Sequence, residues 1–268
     1  MTSLNSLGLF GCGNMGGAIV RGVLAANLLP ADRLFFFDED YKVVQAMNSL
    51  GCKSLVSPYE LFHEAETIIL AVKPQVFKQL VLPAFPPARE GKTIISIMAG
   101  IRLEQLREKI IGPFSFIRTM PNRGLSVGEG MTAIAADGHS EKTLPLAESI
   151  FCSCGQTVRV TEDQMDAVTG LSGSGPMYVF EFIEALTLAG VKSGLTRDTA
   201  YRLAIQTAKG SLKLLESSDD APSVWSARVR SPGGTTAEAQ KVLERDGFAD
   251  LLIRAVEAAV ARSKELSA

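Results

Sequence analysis

The 268-residue sequence is poor in the side chains most often used for acid–base or metal chemistry. It has two histidines, His63 and His139, and four cysteines, Cys12, Cys52, Cys152 and Cys154. Four thiols do not make a disulfide scaffold in a chain this long. Cys152 and Cys154 stand too close in sequence for a zinc knuckle, and only two histidines could help. No metal site is expected. An excess of one charge is missing too, since 27 Lys and Arg face 29 Asp and Glu. That balance argues against nucleic acid or an anionic membrane as partner. No apolar run approaches the roughly 20 residues that span a bilayer. The opening MTSLNSLGLF lacks the basic region and apolar core of a signal peptide. Together these absences predict a cytoplasmic protein with reduced thiols.

What is present reads as a globular chain, with 46% hydrophobic and 21% charged residues and length enough for two modest domains. Up to about residue 160 the texture alternates. Residues 7–10, 33–37, 67–72, 92–98 and 114–118 are short runs rich in β-branched or aromatic residues, the look of strands buried on both faces of a parallel sheet. GMTAIAA (130–136) and TVRV (157–160) extend the sheet. Helical periods separate the first runs: Ile19, Val20, Val23 and Leu24 share one face, as do Val43, Val44, Met47 and Leu50. Ser57, Pro58 and Glu60 form a helix-start signature. This alternation predicts a doubly wound α/β domain over residues 1–160. Residues 82–91 are expected to be a loop.

Beyond 160 no strand pattern follows. Helical periods cover roughly 162–170, 176–193, 197–216, 220–229, 235–246 and 248–265, which predicts an all-helical domain over 161–268. Residues 176–190, PMYVFEFIEALTLAG, are apolar on nearly every face. Such a helix needs cover on all sides, either inside a monomeric bundle or against a second subunit.

GLFGCGNMGGAIVRG sets Gly11, Gly13 and Gly16 between a strand and a helix, the context that a dinucleotide turn requires. Gly11 permits the tight turn, Gly13 lets the backbone approach a pyrophosphate, and Gly16 lets helix and strand pack closely. A tight turn without ligand is the plain alternative. Asp38 lies 22 residues after Gly16, where a carboxylate can accept from both adenosine ribose hydroxyls and repel an added phosphate. Its neighbours Glu39 and Asp40 add only negative charge, so NADH is favoured over NADPH. The competing reading makes Asp38 a cap for the helix at 40–50. Lys73 in AVKPQ (71–75) ends a strand where ligands sit in this architecture, or is simply solvated.

Two further glycine-rich stretches stand in the helical half. SPGGTT (231–236) puts two glycines and two threonines at a helix start, with no acid, histidine or cysteine among them. It reads as an anion grip made of backbone amides and hydroxyls, or as a glycine-rich cap with no ligand. GLSGSGP (170–176) fails the spacing and context of a serine nucleophile, so Ser174 is expected to cap the helix beginning near Pro176. Glu162, Asp163 and Asp166 suit a helix N-terminus through its dipole.

GCGNMG, AVKPQ, MPN (120–122), DAVTGLSGSGPMYVF (166–180) and SPGGTT follow in that order, and with them the whole chain resembles pyrroline-5-carboxylate reductases. The resemblance implies a Rossmann domain followed by a helical dimerisation domain, with dimers assembling further into rings such as decamers. It implies NAD(P)H as cofactor, met by Phe10, Gly11, Cys12, Gly13, Asn14, Met15, Asp38, Ala71, Lys73, Ala99, Met120 and Asn122. Users of the phosphorylated cofactor carry a small polar residue at position 38, a pattern from which Asp38 departs. The implied substrate is a five-membered cyclic imine carboxylate, held by Ser231, Gly233, Gly234, Thr235 and Thr236, with Glu162 as a further contact. Thr236 would accept a hydrogen bond from the protonated imine and so serve catalysis. A β-hydroxyacid dehydrogenase-like enzyme using Lys192 or Lys209 in the helical half, or another imine reductase, is the nearest alternative. A cofactor-responsive regulator without catalysis is the other.

Overall fold

A computed structural model describes residues 4–79 and 91–267. Apart from Gly91, the loop expected at 82–91 lies outside the described residues. In chain order the strands are β1 (Leu7–Phe10), β2 (Leu34–Phe37), β3 (Lys53–Ser54), β4 (Thr67–Leu70), β5 (Thr93–Ser96), β6 (Ser115–Pro121), β7 (Gly130–Ala136) and β8 (Gly155–Arg159). The helices of the first part are α1 (Asn14–Ala25), α2 (Tyr41–Ser49), α3 (Pro58–Glu64), α4 (Pro74–Gln79), α5 (Leu103–Lys109), α6 (Leu144–Cys152) and α7 (Met165–Val168). Those of the second are α8 (Gly175–Lys192), α9 (Arg197–Glu216), α10 (Pro222–Arg228), α11 (Thr235–Arg245) and α12 (Phe248–Ser267).

Among the described residues the strands form one sheet in the order β3-β2-β1-β4-β5-β6-β7-β8. From β3 to β6 every pairing is parallel, as the alternating pattern predicts. β7 then runs antiparallel to β6, and β8 parallel to β7. The reversal arises because β6 and β7 are joined by a short turn at Arg123–Val127, which leaves no room for a crossover helix.

β1, β4 and β5 are buried at every position, and their residues alternate between two cores. Leu9, Ile69, Ile95 and Ile117 meet Ile19, Val23, Ile150 and Phe151 of α1 and α6 on one face. Ile68, Leu70, Ile94 and Phe116 meet Leu61, Phe62 and Leu106 of α3 and α5 on the other. Gly8 has to lack a side chain, since a Cβ there would stand 2.8 Å from Ala65 Cβ and 2.9 Å from Leu61 Cδ1. Lys92, buried at the foot of β5, closes α3 by donating from Nζ to the carbonyls of Phe62, His63 and Ala65 at 2.6, 2.9 and 2.8 Å.

Several local expectations change. Strands β4 and β5 are shorter than their apolar runs, ending at Leu70 and Ser96 where the chain turns over the sheet edge. The single helix expected at 162–170 is a 3-10 turn (Glu162–Gln164), α7, and a π-helical turn over Thr169–Gly173. Ser174 is no N-cap: its φ of −82° and ψ of −16° continue the helical path. Capping of α2 belongs to Asp40, whose side chain accepts from Lys42 N–H at 2.9 Å, and not to Asp38.

The chain divides into two compact units, Met1–Ser174 with Ala258–Ala268, and Gly175–Glu257. In the second unit α8 and α9 approach closely at Gly190, where a Cβ would lie 2.7 Å from Ala200 Cβ. Within this chain α8 is not covered on all sides, so the monomeric-bundle reading does not hold. Met177, Val179, Phe180, Phe182, Leu186 and Leu188 stay exposed, Phe180 by 67%. Among the described residues no helix is long and apolar enough to cross a membrane.

Candidate active site

The carboxyl edge of the parallel strands gathers most of the residues singled out in the first half of the chain. Gly11, with φ of +90°, bends the chain out of β1 and donates its N–H to Phe37 O at 2.9 Å. Ala71 N–H returns to Phe10 O at 2.8 Å, and Ile97 N–H reaches Leu70 O at 3.2 Å. Phe10–Met15, Asp38, Ala71–Lys73 and the segment carrying Ala99 thereby share one edge, the place where ligands sit in open α/β sheets. A Cβ on Gly16 would collide with Gly11 O, so the turn and α1 can close only with glycine there.

Gly13 differs: a Cβ added to it would meet no heavy atom within 4 Å, so bare backbone faces open space. The amides of Asn14, Met15 and Gly16 begin α1 and have no intrahelical acceptors. The first turn of α1 holds no acidic side chain. Open backbone, unclaimed amides and the positive helix end fit the pyrophosphate of a dinucleotide.

Other residues of this edge turn inward. Phe10 belongs to the core, stacked edge-on against Phe37 with centroids 5.7 Å apart, so a ligand can meet only its backbone. Cys12 is buried, and burial, reinforced by Asp38 and Cys52, pushes its thiol far above the usual range. Its N–H donates to Asp38 Oδ2 at 2.7 Å, while Asp38 Oδ1 accepts from Asp40 N–H at 2.9 Å. Lys73 is exposed and Ala99 half-buried.

At the end of β6, Met120 packs against Gly173, whose Cβ would stand 2.5 Å from Met120 Cε. Asn122 accepts at Oδ1 from Gly124 N–H (3.1 Å) and Met131 N–H (3.3 Å) and donates to Ser172 Oγ at 3.3 Å. MPN therefore docks onto the π-turn of GLSGSG. The sequence reading missed Arg118, buried on β6 with its Nη1 3.4 Å from Glu162 Oε1. That oxygen also accepts from Leu103 N–H at 2.7 Å, at the start of α5. Burial lowers the Arg118 pKa, and Glu162 opposes that shift. The one available signal was a lone arginine inside an apolar strand run. Asp163 pairs with Arg102 at 2.9 Å and Asp166 with Ser263, so these acids do more than suit a helix dipole.

In the second unit, SPGGTT turns the chain into α11. Gly233 has φ of +70° and open space around its Cβ position. Gly234 is the N-cap, with no side-chain capping bond, and its N–H donates to Ser231 O at 3.0 Å. Ala237 N–H takes Gly234 O at 3.0 Å, leaving the amides of Thr235 and Thr236 as the orphans of the helix start. Both threonines are exposed. Glu238, the acid of this first turn, is engaged by Lys241 at 2.7 Å. Arg230, just before the loop, bonds to the neutral Gln240 at 3.0 Å. Lys192 and Lys209 are exposed on α8 and α9. Among the described residues no group of three His, Cys, Asp or Glu could hold a metal ion.

Comparison with known proteins adds to this geometry. A family model described as pyrroline-5-carboxylate reductase dimerisation matches residues 162–266, and one described as NADP oxidoreductase coenzyme F420-dependent matches residues 6–100. A pyrroline-5-carboxylate reductase of Synechocystis sp. is 40% identical over 263 residues, covering 97% of this chain and 97% of its own. That of Pisum sativum is 36% identical over 263 residues, covering 98% and 96%. The crystal structure of Plasmodium falciparum pyrroline carboxylate reductase with NADP bound superposes with a TM-score of 0.86 at 32% identity, covering 100% of both chains.

Proposed function

This chain belongs to the pyrroline-5-carboxylate reductase family and reduces 1-pyrroline-5-carboxylate to proline, and we propose that its two glycine-rich helix starts divide that task. The turn Gly11–Met15 binds the pyrophosphate of a nicotinamide cofactor, and Ser231–Thr236 binds the carboxylate of the cyclic imine. When bound, the cofactor supplies the hydride. Everything else asked of the protein is placement and field.

The observation that carries this reading is the start of α11. The amides of Thr235 and Thr236 lack intrahelical acceptors, Gly233 leaves the backbone bare, Gly234 lets Ser231 fold back against the helix start, and no acidic side chain competes unpaired. A carboxylate fits there as an anion at a helix N-terminus. Thr236 Oγ1 accepts from the ring N–H and holds the imine protonated, the form that takes up a hydride; Thr235 and Ser231 assist as donors. Glu162 completes the substrate contacts, held in place through Oε1 by Arg118 and Leu103. The cofactor meets the backbone of Phe10–Met15, then Ala71, Lys73, Ala99, Met120 and Asn122. Residues 1–160 serve the cofactor and 161–268 the substrate and self-association.

NADH is the preferred cofactor in this proposal, because Asp38, Glu39 and Asp40 crowd negative charge where a 2′-phosphate would have to lie. The chain self-associates through its helical part; dimers further assembled into a decamer, in the cytoplasm, complete the proposal. The exposed apolar residues of α8 support the dimer, and four free cysteines the reducing compartment. The deciding experiment is a steady-state assay of pyrroline-5-carboxylate reduction with NADH and with NADPH, alongside light scattering. Higher kcat/KM with NADH is expected. A clear preference for NADPH overturns the assignment of Asp38.

A further inference from the structure

The last turn of α12 is tied to three separate parts of the sheet-bearing unit. Ser263 donates to Asp166 Oδ1 at 2.6 Å, and Ser267 reaches the same oxygen at 3.4 Å. Both serines are buried, exposed by only 3% and 8%. Ser267 also donates back to Ser263 O at 3.0 Å, which fixes the turn itself. Between them, Leu266 O accepts from Lys78 Nζ of α4 at 3.4 Å. The third tie is steric. Gly100 has φ of +71°, and a Cβ on it would lie 3.1 Å from both Leu266 Cβ and Leu266 O.

These three anchoring points have a common neighbour. Lys78 belongs to the helix that follows Ala71–Lys73. Gly100 follows Ala99, in the segment that leaves β5 at the carboxyl edge. Asp166 opens the short helix that leads into the π-turn at Thr169–Gly173, on which Met120 and Asn122 dock. Gly100 lies in a connection, and α4 and α7 are helices of only 6 and 4 residues, so little within each segment fixes its shape. Long-range contacts have to do so.

We propose that the last turn of α12, Ser263 to Ser267, is a positioning element for the cofactor: a brace that holds the Ala71–Lys73 and Met98–Ile101 segments in the shape a dinucleotide meets. The inference rests on reading those two segments as cofactor-lining. Its physical basis is preorganisation. Segments already ordered in the free protein do not have to be ordered when the ligand binds, so affinity is higher without any new contact to the ligand. The ties are long-range in sequence: Ser263 and Asp166 are 97 residues apart, and Lys78 and Leu266 are 188 apart.

The test uses the full chain carrying Ser263→Ala with Ser267→Ala, and a second variant ending at Lys264. Three quantities are read: the dissociation constants of NADH and NADPH, the amide exchange of Met98–Ile101 and of Pro74–Gln79, and the assembly state. Both variants are expected to bind cofactor about fivefold more weakly and to exchange faster at these amides. At saturating cofactor, kcat and the KM for the imine stay at the parent values, which a general loss of structure would not allow. An unchanged dissociation constant in a folded, assembled variant overturns the brace, and so does unchanged exchange. If the shortened chain does not fold, the double serine variant decides. If the parent chain binds neither cofactor, the reading of the cofactor edge fails instead, and the exchange measurement still judges the brace.

Discussion

The Cys12 amide donates to the Asp38 carboxylate at 2.7 Å, linking the glycine turn after β1 to the end of β2. One carboxylate thus shapes the turn and presents negative charge beside it. These roles separate by substitution. Asp38→Asn keeps an acceptor for Cys12 and loses the charge and the bond from the Asp40 N–H; Asp38→Ser loses the Cys12 bond as well. The asparagine variant should hold its fold while its preference for NADH over NADPH drops about tenfold, the range of a charge-assisted hydrogen bond to a ribose. The serine variant should show the same drop and also weaker binding of both cofactors. Paired kcat/KM values for the two cofactors check this.

Thr236→Ala should lower kcat for imine reduction roughly 10–100-fold while the cofactor dissociation constant stays within twofold, since the hydroxyl acts on the substrate alone. Thr236→Ser should recover most of the rate. An alanine variant at the parent rate would remove Thr236 from the mechanism.

The buried thiol of Cys12 gives the stability an alkaline limb. Burial, then Asp38 and Cys52, raise its pKa above the usual 9.0. Below pH 9 folded and unfolded chains both keep the proton. Above it the unfolded chain releases the proton while the folded one retains it, so stability falls as pH rises, at up to about 1.4 kcal/mol per pH unit. Urea unfolding at pH 8 and pH 10 measures the loss. Thiol reagents on the native protein should modify the exposed Cys152 and spare Cys12.

Lys92→Met keeps the aliphatic stem but strands the carbonyls of Phe62, His63 and Ala65. Losing three charge-assisted bonds should cost about 3 kcal/mol. In a chain of this size that lowers Tm by roughly 6–12 °C. KM values should not move. Thermal unfolding and steady-state kinetics on one preparation decide both halves.

Phe180→Asp on α8 should shift the assembly towards monomers. A charge placed on an exposed apolar helix face raises the dissociation constant by roughly 100-fold or more if that face is the subunit contact. Light scattering over a dilution series checks it. An unchanged assembly would move the contact to another helix.

The sequence by itself determined what depends on neighbours along the chain. Gly11, Gly13 and Gly16 between a strand and a helix announce the turn. Runs such as Thr67–Leu70 announce buried strands, and Ser57 with Glu60 the start of α3, where Glu60 N–H meets Ser57 Oγ at 3.2 Å. SPGGTT was legible for the same reason, because a helix start exposes amides within four consecutive residues. Weakly periodic pieces escaped: α5 has 7 residues and β3 only 2, too few to show a face. What the tertiary structure alone decided are pairings between distant residues. Asp38, read as a ribose acceptor with a helix cap as the alternative, is also the partner of Cys12, 26 residues away, and the cap is Asp40. Lys92 found α3, Arg118 found Glu162, and Asp166 found Ser263. Periodicity reports which side of an element is apolar; it carries no information on which buried polar atom a given donor will meet. That choice is made when the layers close and every polar atom taken out of water needs a partner.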